Sequence, residues 1–393
     1  MHLTTTFVLL VSFILLGVHA ELIAVLQIFR HGQRTPVSFF PNDPYYDSSY
    51  WGGLASGALT NEGKRMHMKL GQYTRSRYSN FIPKKYDPSF FYAQTTDVDR
   101  THMSAQSNIY GLFPISTSDQ KWQNKIDWQP IPIHPSDSAV LSTSIFPANC
   151  PAYTKTLAAV IGSEEFTKLD SENVELYKYL TNNSGSSVTD IISINGIWDP
   201  LKAEDSIGFS LPAWTKSVYP EPLRTMAGKL FELFTHTTTM KRLCIGPFIN
   251  EVVTYLESMA ADSSSSYKYK MYSAHDTNIA AILNTFGAFS PSFPPAFAST
   301  IYIELHKENW QNVVKVFNKD GDTLKQISVN GCELSCPLSS FRQALSDIIV
   351  DADTRDAECS STEETKVLLG SSGTTGNKYS AAELEEKFAG VMT

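Results

Sequence analysis

Leu22-Ile23-Ala24-Val25-Leu26-Gln27-Ile28-Phe29 is apolar but for one glutamine, and charge then begins abruptly at Arg30. A short run without alternation is the pattern of a strand buried on both faces of a parallel sheet. In open α/β sheets, ligands sit in the crevice beyond the carboxyl ends of the strands. The residues at that end are Arg30-His31-Gly32-Gln33-Arg34-Thr35-Pro36, which bring two guanidinium groups and an imidazole to one loop. Gly32 lets the backbone turn sharply, and Pro36 suits a loop or a first helical turn. Planar cations there suit a phosphate.

Two later segments repeat the arrangement. Tyr269-Lys270-Met271-Tyr272-Ser273-Ala274 reads as a strand, followed by His275-Asp276-Thr277-Asn278 and the apolar helical stretch Ile279 to Leu283, closing at Gly287. His275 and Asp276 thus fall at a strand-to-helix turn, where unpaired N–H groups and the helix dipole favour an anion. Phe90-Phe91-Tyr92-Ala93 reads as a third strand, leading to a helix that opens on an Asp or Thr cap with Arg100 in its first turn. Taken singly, each segment has a plain structural reading as capping chemistry or as arginines ending a strand.

Taken together and in order, R-H-G-x-R-T-P, V-D-R-T-x-M-S-A (Val98 to Ala105) and S-A-H-D-T (Ser273 to Thr277) resemble segments of the prostatic and lysosomal acid phosphatases. Leu59-Thr60-Asn61-Glu62-Gly63 with Leu70-Gly71 also resembles that family's L-T-x-x-G stretch. The chain is identified as similar to the histidine acid phosphatases, branch 2 of the histidine phosphatase superfamily. The resemblance implies a secreted or lysosomal enzyme that hydrolyses phosphate monoesters through a covalent phosphohistidine. Carried over residue by residue, it makes His31 the nucleophile and Asp276 the proton donor. Arg30, Arg34, Arg100 and His275 then bind the phosphoryl oxygens. A carboxyl group near its ordinary pKa of about 3.9 donates a proton only at low pH, and nearby phosphate charge raises that value, so an acid optimum follows. The arginines supply the positive charge, so neither a metal nor a cofactor is called for. His275-Asp276-Thr277-Asn278 also resembles the H-D-T-N of bacterial phytases, which makes an inositol phosphate phosphatase the alternative enzyme. From a different class, a non-catalytic secreted binder could retain the fold, but nucleophile, cations and proton donor are all present.

The fold expected is α/β, a mixed and mostly parallel sheet flanked by helices, with a mainly helical insertion capping the active site. Alternating αβ signals occupy 21–120 and 240–360 of the 393 residues, and the capping insertion occupies 121–239. Within it, helices are expected at Leu157 to Leu169, Val174 to Leu180 and Leu223 to Phe234. Thr300 to Leu305 alternates, and Val313 to Phe317 precedes an Asp320-Gly321 turn, an antiparallel hairpin signal. Residues 1–20 read as a signal peptide with an apolar core from Phe7 to Val18 and cleavage after Ala20, while 361–393 read as a mobile tail.

A net charge of −8 argues against nucleic acid or an anionic membrane as partner, and no later stretch is long and apolar enough to span a bilayer. The expected partner is a small phosphomonoester. Family members are often homodimers, and Trp128 and His134 lie in a stretch resembling the dimer-forming region, so a homodimer is a further expectation. Five cysteines in an exported chain imply disulfides with one thiol left over, and spacing alone does not assign them. The resemblance pairs Cys332 with Cys336 and Cys150 with Cys359, leaving Cys244 as a buried, inert thiol. Asn182-Asn183-Ser184 is the one N-x-S/T sequon, in a polar stretch that suits a glycosylated loop.

Overall fold

The structure is a computed structural model that describes residues 20–142, 146–147, 149–360 and 383. The expected signal peptide, apart from Ala20, and the expected tail, apart from Glu383, lie outside the described residues.

One mixed sheet organises the chain. Its strands are β1 (Ala20–Arg30), β2 (Phe91–Thr95), β3 (His134–Pro135), β4 (Tyr269–Ala274), β5 (Thr300–Glu308), β6 (Gln311–Asp320), β7 (Thr323–Ile327) and β8 (Cys336–Pro337). They run in the order β3-β2-β4-β1-β5-β6-β7, and β8 pairs with β6 beside β7. The half from β3 to β1 is parallel, whereas β5 to β8 are antiparallel. From Ala24 onward β1 is wholly buried, which is why its sequence shows no alternation. The expected Asp320-Gly321 turn closes β6 on β7. The β5–β6 turn, Asn309-Trp310, has positive φ at both residues and carries none of the usual glycine signal.

Helices α1 (Asn61–Arg77) and α2 (Asp99–Leu112) cover one face, with Leu70, Ala105, Ile109 and Leu112 packed on Val25, Phe29, Tyr269 and Tyr302. Thr60 caps α1 by accepting from Gly63 N at 3.1 Å. The cap of α2 differs from expectation. Val98 occupies it, with no side-chain hydrogen bond, and Asp99 is the first helical residue, so burial of the helix on the sheet outweighs the missing cap. Glycines set how closely α1 approaches its neighbours. A Cβ on Gly63 would overlap Gln33 O, and one on Gly71 would overlap Asn108 O of α2.

The opposite face is covered by the insertion and by the helices that follow it. The insertion contributes α3 (Pro151–Ile161), α4 (Glu164–Glu172), α5 (Val174–Ser184), α6 (Asn195–Ser206) and α7 (Leu223–Leu233). The single helix expected from Leu157 to Leu169 is two, broken at Gly162-Ser163, where Ser163 opens the next helix. α6, which contains Pro200, was not among the helices singled out within the insertion. β3, from the same stretch of sequence, adds to the sheet edge beside β2. Next come α8 (Thr238–Ala261), α9 (Asp276–Thr285), α10 (Leu338–Ala344) and α11 (Ala352–Ser360). Cap residues such as Ile197, Leu201 and Leu230 share one apolar core with Ile279 and Leu283 of α9 and Leu26 and Ile28 of β1.

The two disulfides are Cys150–Cys359 and Cys332–Cys336, as the resemblance implied. The first ties the start of α3 to α11 across 209 residues, a loop whose closure is worth about 5 kcal/mol in the chain-entropy account. Cys244 is a free thiol against Phe234 O, half-buried rather than buried as expected, and desolvation by its surroundings still raises its pKa, which disfavours the reactive thiolate. Asn182 is exposed but lies in the last turn of α5 rather than in a loop, because α5 continues to Ser184 before Gly185 ends it.

Gly71→Ala is expected to destabilise the protein by about 1–3 kcal/mol in urea unfolding through overpacking. At Gly196, where a Cβ meets nothing within 4 Å, the same change should be neutral or stabilising. Equal effects at the two glycines would show that α1–α2 contact is looser than the structure has it.

Candidate active site

Three parallel strands deliver their last residues to one crevice. Register sets Arg30 beside Ala274 and Thr95 beside Ser273. Beyond these pairs, His31 N donates to Ala274 O at 2.9 Å and Thr96 N to Ser273 O at 3.1 Å. His31, His275 and Thr96 therefore emerge side by side, with α2 and α9 starting beside them.

His31 is 1% exposed, and its Nδ1 lies 2.9 Å from Gly32 O. A carbonyl only accepts, so Nδ1 carries the proton and Nε2 keeps a lone pair. Burial, then the charges of Arg100, Arg30 and Arg34, hold its pKa well below the usual imidazole range. His31 thus stays neutral in acid that would protonate an exposed histidine. Its backbone is locked as well. Gly32 N donates to Ser104 Oγ at 3.1 Å, and a Cβ on Gly32 would overlap the backbone of Gly63.

Each arginine has a distinct anchor. Arg30 Nη2 pairs with Asp276 Oδ2 at 2.6 Å, Nη1 donates to Pro295 O at 2.6 Å, and the guanidinium lies 4.2 Å from the Phe297 ring centroid. Burial lowers the Arg30 pKa despite Asp276. Arg34 makes a bidentate pair with Asp199 on α6, Nη2 to Oδ1 at 2.8 Å and Nη1 to Oδ2 at 3.1 Å. Burial opposes the charge on Arg34, but Asp199 more than offsets it and raises the pKa. Burial would likewise raise Asp199, yet Arg34 pulls it below the usual carboxylate range. Arg100, lowered to about 10 by burial and by Arg34, lies with Nη2 3.4 Å from His275 Nδ1.

A guanidinium only donates, so His275 Nδ1 accepts and its Nε2–H is directed at Thr96 Oγ1, 2.8 Å away. Burial and Arg100 hold His275 well below the usual imidazole range. Asp276 begins α9, and its Oδ1 accepts from Thr277 N at 2.8 Å. All six residues singled out in the sequence thus share one crevice.

Asp199, the anchor of Arg34, was not singled out. Its partner lies 165 residues away, and Trp198-Asp199-Pro200 carries no local signal of that contact. Thr96, Ser104 and Phe297 were likewise missed as supports. His67 is fully buried behind β1 with Nε2 3.1 Å from Arg30 O, and burial lowers its pKa to about 3. Phe40, in the loop after Pro36, is buried edge-on against Trp214 of the cap.

The fold itself is that of a known class. It matches the apo phytase of Hafnia alvei with a TM-score of 0.64 at 16% identity, over 85% of this chain and 98% of that one. The sequence model of the Histidine phosphatase superfamily (branch 2) matches residues 21–319. The prostatic acid phosphatase of Bos taurus is 33% identical over 341 residues, 85% of this chain and 87% of that protein. The lysosomal acid phosphatase of Xenopus laevis is 32% identical over 364 residues, 90% of this chain and 82% of that protein. This chain belongs to the histidine phosphatase superfamily, branch 2.

Asp199→Ala leaves a buried guanidinium without its carboxylate and is expected to cost about 3–5 kcal/mol in urea unfolding. Pairing it with Arg34→Met should recover most of that loss. A double variant as unstable as Asp199→Ala would show that Asp199 matters for something other than Arg34.

Proposed function

We propose that this protein is a histidine acid phosphatase that hydrolyses phosphate monoesters through a phosphohistidine on His31. The observation that carries the reading is a charge imbalance inside a buried crevice. Three guanidinium cations face two carboxylates, Asp199 and Asp276, with the half-buried Asp320 acting more weakly on Arg30, while both histidines are held neutral. Moreover, Arg30 Nε and Arg34 Nε are buried donors with no hydrogen-bond partner among the described residues. Buried unmet donors and surplus positive charge suit an anion with several acceptor oxygens.

The phosphoryl group takes its place among Arg30, Arg34 and Arg100, which spread charge from its equatorial oxygens. His31 Nε2 attacks phosphorus as the ester P–O bond breaks, and Asp276 gives its proton to the departing alkoxide. A water then attacks the phosphohistidine, returns a proton to Asp276, and phosphate leaves with His31 restored. Before substrate arrives, Asp276 is engaged by Arg30. The phosphoryl charge competes for Arg30, and a dianion turns the surplus of one positive charge into a deficit of one, which a proton on Asp276 cancels. Acid conditions therefore suit the charged complex. Donation from His275 Nδ1 to a phosphoryl oxygen needs the tautomer in which the Thr96 hydroxyl donates to Nε2. Otherwise His275 orients Arg100.

The same reading places the protein outside the cytosol or in lysosomes, which two disulfides and the acid phosphatase relatives support. The exposed Trp128, and His134 on edge strand β3, support a homodimer through this edge, and exposed Asn182 supports glycosylation there. Among the described residues, no helix is long and apolar enough to cross a membrane. Comparing initial rates on an aryl phosphate with those on inositol hexakisphosphate separates the broad phosphatase from the phytase. No turnover of either would leave the non-catalytic binder.

His31→Ala is expected to abolish turnover without unfolding the chain. Acid quench of the wild type with radiolabelled substrate should leave label on His31, and label on a serine or cysteine would refute the nucleophile.

Asp276→Asn should slow alkyl phosphates far more than nitrophenyl phosphate, because loss of a general acid costs about 10² to 10⁴ where the leaving group needs a proton. Equal losses on both substrates would remove Asp276 from that role.

A further inference from the structure

The cap helix α6 grips the phosphate-binding segment at two points. Asp199 holds Arg34, and its Oδ2 also accepts from Val37 N at 3.3 Å. Further along the same helix Glu204, 0% exposed, faces Asp43, 2% exposed, from the loop that follows Pro36. Asp43 Oδ1 accepts from Tyr45 N at 2.8 Å. Asp43 Oδ2 and both Glu204 oxygens are buried, and no donor reaches them among the described residues.

Among the described residues, no cation pairs with either carboxylate. Tyr219 faces Glu204 from the segment after α6, but its hydroxyl donates to Asp205 Oδ2 at 2.8 Å. Lys202 leans toward Asp205, 3.9 Å away. Two ionised carboxylates here would be a buried like-charge pair with three unsatisfied oxygens. A proton on one of them makes it a donor to the other and leaves a single charge to bury, as in other carboxyl pairs that share a proton.

We propose that Asp43 and Glu204 form a shared-proton latch that seats α6, and with it Asp199 on Arg34, and that loss of this proton as pH rises releases the cap from the phosphate-binding loop. The kinetic part of this proposal rests on the phosphatase reading; the latch itself does not. Burial, then the Asp43 charge, raises Glu204 well above the usual carboxylate range, and burial raises Asp43. Both pKa values are higher folded than unfolded. The stability they confer is thus full below the ordinary carboxylate pKa and drains away as pH climbs through the raised values.

The test compares wild type, Glu204→Gln and Asp43→Asn. In either variant an amide donates where the wild type needs a proton, so the contact survives without titrating. The wild-type Tm should fall by several degrees from about pH 5 to about pH 8, and the variants should lose less than about half of that. A fall as steep in both variants as in the wild type overturns the latch. If neither variant folds, hydrogen exchange in the wild type decides. After correction for intrinsic rates, α6 amides should lose protection selectively as pH rises, and protection that does not change with pH overturns the proposal. In kinetics, the variants should show a smaller rise in KM with pH, whereas the decline of kcat set by Asp276 should persist. A KM that climbs identically in all three would cut the link from the latch to Arg34. Absence of turnover in the wild type would instead remove the phosphatase reading and leave the stability and exchange results standing.

Discussion

Three arginines buried in one crevice repel one another and give up their hydration, so the crevice exists only if negative charge is placed between them. The protein supplies part of it from two directions. Asp276 comes from the sheet domain at the start of α9, and Asp199 comes from the cap on α6. The core alone therefore does not complete the site. Without α6, Arg34 would be a buried cation lacking its carboxylate, and such a charge costs several kcal/mol. The surplus positive charge has a second effect, because it bears on His31 and His275. Burial first, and then the neighbouring guanidinium groups, hold the pKa of both imidazoles well below the ordinary range. The cations that crowd the crevice thereby help to keep its two imidazoles neutral.

Much of the site was legible in the sequence because its chemistry is packed into three short loops, each following a strand. The apolar run from Leu22 to Phe29 and the turn residues after it announce both the strand and what its end carries. His275-Asp276 is legible for the same reason, since a strand, a turn and a helix follow one another within a few residues. Asp199 was not legible, because nothing in a helical stretch around Pro200 tells which distant cation it meets. The cap was legible only in part. α5 and α7 lie where apolar spacing predicts helices. The break at Gly162-Ser163 interrupts a continuous apolar pattern, and α6 is masked by Pro200 inside it, so neither showed in the sequence. The Asn309-Trp310 turn was missed because a bulky residue occupies a backbone conformation that usually marks itself with glycine.

Supporting residues follow a different logic from the six that face the crevice. His67 holds the Arg30 carbonyl, Ser104 holds Gly32 N, and Gly63 gives up its side chain so that the loop can lie against α1. None of these contacts asks for a reactive group. They ask for a donor, an acceptor or empty space at one spot, and a short pattern does not encode that.

The sheet order also dictates when the site comes into being. β1 and β2 are early in the chain, yet they never pair with each other, because β4 lies between them. During synthesis, β1 and β2 must wait through the entire insertion before their common neighbour leaves the ribosome, and for that interval both present unpaired, apolar edges. The nascent protein is consequently most exposed to misassociation while its crevice is still incomplete, since Asp276 arrives only with the end of β4. His31 and Asp276 come together only as β4 closes the sheet, so a chain that stalls before β4 carries the first without the second.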